Sequence, residues 1–229
     1  MAWIKQLCLI CLLALAAAVF GSHPIDQTLE ACIDENPSTH GMIQCISAAT
    51  KQWEELAEKT LDRILKHIPP AELLHQSQKD FLSFQKAEHA LIYAMRSQLE
   101  GTMYSIFAAD QVLTVIRQRA RTLLLIEAIA ADTKNIELTI GDTRGRPDLE
   151  KRYRLVESIL LESNKHYLQA SREAWDEYRK SHTALLDALH QSRPGQFSAA
   201  LISRMKNAFD QHRASRLESC YMPFSDEWQ

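Results

Sequence analysis

The sequence predicts an all-α chain, helical-bundle-like, made of two tandem antiparallel helical units that arise from an internal duplication. Three observations lead there. Shifted by 94 places, Ser77–Leu123 falls on Ser171–Leu217 without a gap, with identities at Ser77/Ser171, Lys86/Lys180, Leu91/Leu185, Gly101/Gly195, Arg119/Arg213 and Leu123/Leu217. A gapless match keeps every helical phase and turn in step, as two copies of one unit would. Residues also step by three and four along Leu74, Ser77, Phe81, Phe84, Glu88, Leu91 and Met95, and again along Leu168, Ser171, Trp175, Tyr178, His182, Leu185 and Leu189. That spacing is a helix-packing seam. No pair of stretches alternates in the way paired strands require.

The elements follow in order. Lys5 precedes an apolar run, Leu7–Phe20, and Val19-Phe20-Gly21 resembles a cleavage site, so residues 1–21 read as a signal peptide with Ser22 as the mature start. An uncleaved anchor is the runner-up. Residues 22–131 form the first unit. Its lead, Ser22–Gly41, is rich in turn residues, and a first helix is expected from about Met42 to His67. Pro69-Pro70 stops that helix and starts the next, about Ala71 to Glu100. A third covers about Tyr104 to Ala131. Residues 132–147 are turn-rich and read as a linker, with Ile136–Ile140 extended along the surface. The second unit, 148–219, opens on Pro147-Asp148 with one long helix to about Gln191, bent near Asn164, and closes with a helix from about Phe197 to Ser219. Residues 220–229 are a tail.

Composition narrows the function. The formal charge is −3, and −4 without Lys5, which argues against a nucleic-acid partner. An exported chain meets an oxidising compartment, so a Cys32–Cys45 bridge is expected. Cys220 is then a buried free thiol, an intermolecular link, or the true partner of one of the other two. No phosphate-cradling glycine loop and no nucleophile elbow is present. Glu72-Leu-Leu-His75 has di-metal spacing, but the second copy places His166 and Gln169 there, so no metal site and no cofactor is expected. Glu88 and His182 share one seam position. Symmetric packing would let Glu88 face His182 and raise its pKa, but the expected arrangement puts both at a packing edge in water. Arg119 and Arg213 suit an anion, though the expected arrangement lays them along the bundle surface with packed stems. Trp175 and Tyr178, like Phe81 and Phe84, read as core.

These residues resemble the lysozyme-inhibitor LprI-type N-terminal domain family, small exported helical domains. Cys32 and Cys45 match its cysteine pair, and Trp53 with Leu56 matches its first helix. Gln78, Phe81 and Phe84 match its middle stretch, with Gln85 in place of arginine. Gly101-Thr102 matches its turn, and Arg119-Ala120 opens its ending. The second unit keeps Trp175, Tyr178, Arg179, Gly195 and Arg213, and lacks the threonine. Both copies lack the second cysteine pair that many members carry. The resemblance implies a non-catalytic binding protein, periplasmic or secreted, with a protein partner such as a lysozyme-type muramidase and no stable membrane insertion once the leader is removed. A structural or adaptor module for another envelope protein is the alternative, and a metal-dependent enzyme a remote one.

Overall fold

The computed structural model describes residues 23–69, 71–131 and 147–221, and every regular element among them is helical. The leader, the extended stretch at 136–140 and residues 222–229 of the tail lie outside the described residues.

Helix α1, Pro24–Glu35, replaces the expected irregular lead. Proline sits at its first turn, where a missing N–H costs nothing, and His23 Nδ1 accepts from Ile25 N at 3.2 Å. The prolines read as turn punctuation are thus a helix start and the stop that follows it. Helix α2, Thr39–His67, is capped by Ser38, whose hydroxyl accepts from Gly41 N at 3.1 Å. A Cβ on Gly41 would lie 2.7 Å from Asn36 O, so the tight α1–α2 turn requires glycine there. Cys32 and Cys45 form a disulfide that joins α1 to α2 across 13 residues, with a Cα–Cα distance of 5.8 Å.

Asp26 on α1 accepts from Trp53 Nε1 at 3.2 Å and from Arg121 at 2.7 Å, and His23 packs on the Trp53 ring at 4.4 Å. The short helix therefore covers a fully buried tryptophan. Opening the disulfide removes the tether that holds this cover. Reduction is expected to cost about 3 kcal/mol through the entropy of the unfolded chain. Urea midpoints with and without reductant check this; equal midpoints would show that α1 docks without the bridge.

Helices α3, Ala71–Arg96, and α4, Met103–Ala130, are joined by a turn in which Gly101 takes φ +104°, a left-handed conformation natural to glycine. Arg96 fixes that turn by donating to Leu99 O at 2.7 Å and Gly101 O at 3.1 Å. Helix α5, Leu149–Ile159, is capped by Asp148. The expected long helix is then broken rather than bent. A 3-10 turn, Glu162–Asn164, separates α5 from α6, Lys165–Ser192. Gln98 stabilises the break, accepting from Leu161 N at 2.6 Å and Asn164 Nδ2 at 3.1 Å. Helix α7 is Ala199–Tyr221.

Helix α2 packs on α4, α3 on α6, and α5 on α7. The two seams predicted from the sequence therefore meet each other. The main core combines Trp53, Leu113 and Leu123 with Leu185, Leu186 and Phe197, so apolar burial crosses the middle of the chain. Cys220 is a buried free thiol, its pKa raised by burial. Among the described residues, no helix is long and apolar enough to cross a membrane.

Candidate functional site

The α3–α6 seam builds an aromatic and arginine centre whose geometry follows the sequence repeat. Phe84 and Tyr178, equivalent positions, stack on each other at 5.8 Å and 21°. The Phe81–Tyr178 pair lies at 5.4 Å and 63°, and its counterpart Trp175–Phe84 at 5.2 Å and 64°. Arg119 lies 5.4 Å over Phe81 and 5.6 Å over Tyr178; Arg213 lies 5.6 Å over Trp175 and 5.2 Å over Phe84. Each arginine also donates to the serine of its own repeat, Arg119 to Ser77 at 3.5 Å and Arg213 to Ser171 at 2.8 Å. A cavity of about 30 Å³ sits at this centre. Its twelve lining residues are six equivalent pairs: Phe81/Trp175, Phe84/Tyr178, Val115/Phe209, Gln118/His212, Arg119/Arg213 and Thr122/Arg216.

Both arginines are about 1% exposed, which corrects their expected place along the surface. Aromatic faces and hydroxyls replace water around the guanidinium groups. Glu88 and His182 are buried too, at 0% and 2% exposure, rather than sitting at a wet edge. Nor does Glu88 serve His182. Its carboxylate accepts from Arg213 at 2.7 Å, from Arg216 at 2.7 Å, and from Ser171. Burial alone would raise the Glu88 pKa, but the two guanidinium groups outweigh it and bring it to about 2. His182 moves the opposite way from the symmetric-packing expectation: burial, then the positive charges of Arg119 and Lys206, push it down to about 3. Its Nδ1 has no hydrogen-bond partner among the described residues.

A group kept neutral in the fold and protonated at about pH 6.5 in the unfolded chain opposes folding in acid. The His182 contribution is whole above about pH 6.5 and is lost as pH falls from there toward 3. His23, His89 and His212 shift the same way, chiefly through burial. His182→Gln is therefore expected to flatten, in part, the fall of the denaturation midpoint between about pH 6.5 and 4. An unchanged slope would show that His182 already reaches solvent.

The remaining predicted positions divide by role. Gln78 Oε1 accepts from Arg119 at 2.9 Å and orients it. Thr102 precedes α4 but makes no side-chain cap. Arg179 forms a bidentate pair with Asp210, at 2.6 and 2.7 Å. Gly195 is exposed, and nothing lies within 4 Å of the Cβ it lacks. Three contributors escaped the sequence reading. Tyr153 accepts from Arg213 at 3.1 Å, while Arg216 donates to Glu88 and to the Gln111 side chain. Tyr153 lies outside the repeat, and Arg216 replaces Thr122, so neither carried a repeat signal. Among the described residues, no group of three or more His, Cys, Asp or Glu side chains could hold a metal ion. Outward-facing apolar side chains include Leu82, Tyr93, Met103 and Leu161.

The comparisons with known proteins agree with this architecture. No curated protein matches the chain. A crystal structure of an uncharacterized protein from Burkholderia thailandensis has a similar fold, with a TM-score of 0.66 and 21% identity over 87% of this chain and 98% of that one. The family model described as Lysozyme inhibitor LprI matches residues 32–123, from the first disulfide cysteine to the end of the Arg119 motif. Residues 32–123 are thus similar to the Lysozyme inhibitor LprI family, and the match ends there.

Proposed function

We propose that this chain is an exported, non-catalytic binding protein of the cell envelope that inhibits a lysozyme-type muramidase by occluding its cleft. The family match over residues 32–123 carries the reading. The Cys32–Cys45 bridge supports export, because such bonds persist in oxidising compartments. Most motif residues, among them Trp53, Phe81, Phe84, Arg119, Trp175 and Arg213, are buried. Their role in this reading is to hold the scaffold, and contact with the enzyme falls to outward-facing side chains. The net charge of −4 without Lys5 suits a basic enzyme surface, and complementary charge speeds encounter and fixes orientation.

The test is a lysis assay. Protein from Ser22 onward is titrated into c-type and g-type lysozymes acting on cell walls. Stoichiometric loss of lysis, weakened by salt, is the expected result. Full lysis at large molar excess of the protein would reject inhibition of those enzymes.

A further inference from the structure

The cavity carries more positive charge than the described residues around it balance. Arg119, Arg213 and Arg216 all line it, and none is more than 4% exposed. Among the described residues, Glu88 is the one carboxylate within ion-pair distance of any of them, and it meets only Arg213 and Arg216. Asp110 feels Arg216 electrostatically, but its carboxylate is half exposed and lies 3.9 Å from Arg117. Three buried guanidinium groups thus share one buried carboxylate. Arg119 has neutral partners only: Gln78, Ser77 and the Tyr178 hydroxyl.

The repeat identifies what is missing. Arg213 pairs with Glu88, and the residue equivalent to Glu88 in the second copy is His182, which stays neutral beside Arg119. Among the described residues, the counter-charge present at one arginine is therefore absent at the other. Two buried donors among the lining residues, Trp175 Nε1 and Arg216 Nε, have no hydrogen-bond partner among the described residues. Buried polar groups and charges are normally satisfied, and an unbalanced charge costs far more than an unmade hydrogen bond. A water molecule would fill the donors but not the charge.

We propose that the cavity binds a small monovalent anion of halide size, held by Arg119 and Arg216 with the Trp175 indole N–H. The volume of about 30 Å³ suits a species of one or two heavy atoms. The site lies between α3, α4, α6 and α7, so the bound ion fastens both halves of the chain together.

The experiment has two readouts on the full mature protein. Crystals grown without halide are soaked in sodium bromide and examined by anomalous scattering. Thermal unfolding is followed in sodium chloride and in sodium gluconate at equal ionic strength. A bromide peak within hydrogen-bond reach of Arg119 and Trp175, and a melting temperature several degrees higher in chloride, are expected. The chloride effect should vanish in Arg119→Gln, and should also vanish in His182→Glu, which supplies the missing carboxylate. Equal melting in the two salts with no internal bromide peak overturns the proposal, as does bromide found only at surface arginines.

Discussion

Glu88→Ala is expected to destabilise the protein by about 3–5 kcal/mol, the loss typical when one partner of a buried ion pair is removed. The carboxylate is fully buried and accepts from Arg213, Arg216 and Ser171, so its loss leaves two guanidinium groups in a low-dielectric interior without a counter-charge. Glu88→Gln keeps the shape and loses the charge, and separates packing from electrostatics. Urea denaturation measures both variants; a loss below about 1 kcal/mol for both would mean that the arginines are solvated. The pH dependence has a definite sign. With its folded pKa lowered to about 2, Glu88 contributes stability that is complete above about pH 4.5 and disappears as the pH falls toward 2.

Trp175→Ala is expected to cost a similar amount, about 3–5 kcal/mol, because a large ring is removed from a packed interior. The indole stacks on Phe209 at 4.4 Å, meets Phe84 at 5.2 Å, and lies under Arg213 at 5.6 Å. Trp175→Phe should be much milder, since phenylalanine already fills the equivalent position 81 with the same edge-on contact to its neighbour. A denaturation midpoint unchanged in Trp175→Ala would place the ring in solvent.

Helix existence and the seam residues were legible in the sequence because helical spacing is periodic and the repeat doubled the signal. Phe81, Phe84, Trp175 and Tyr178 sit in the core as their spacing implied. Helix α1 was not legible, because proline at a helix start and proline in a turn look alike without knowing where Asp26 and Trp53 meet. The break before α6 rests on Gln98, some sixty residues away, which no local pattern reveals. The arginines were misplaced for a related reason. Long cations usually stay near water, and only the folded chain shows that aromatic faces and Glu88 replace it. The sequence linked Glu88 and His182 by equivalent position; in the fold Glu88 meets Arg213 and Arg216 instead.

The packing of α3 on α6 bears on how one unit could exist without the other. The segment that the family model matches ends at residue 123, before α6 begins. Severed there, it would present Phe81, Phe84 and Leu91 to solvent. A second copy of the same segment could cover them, α3 against α3, with Phe84 stacked on its own twin as it now stacks on Tyr178. Such a protein would fold and dissociate with dilution. Carrying both seams on one polypeptide makes that encounter intramolecular, so the centre persists at any concentration.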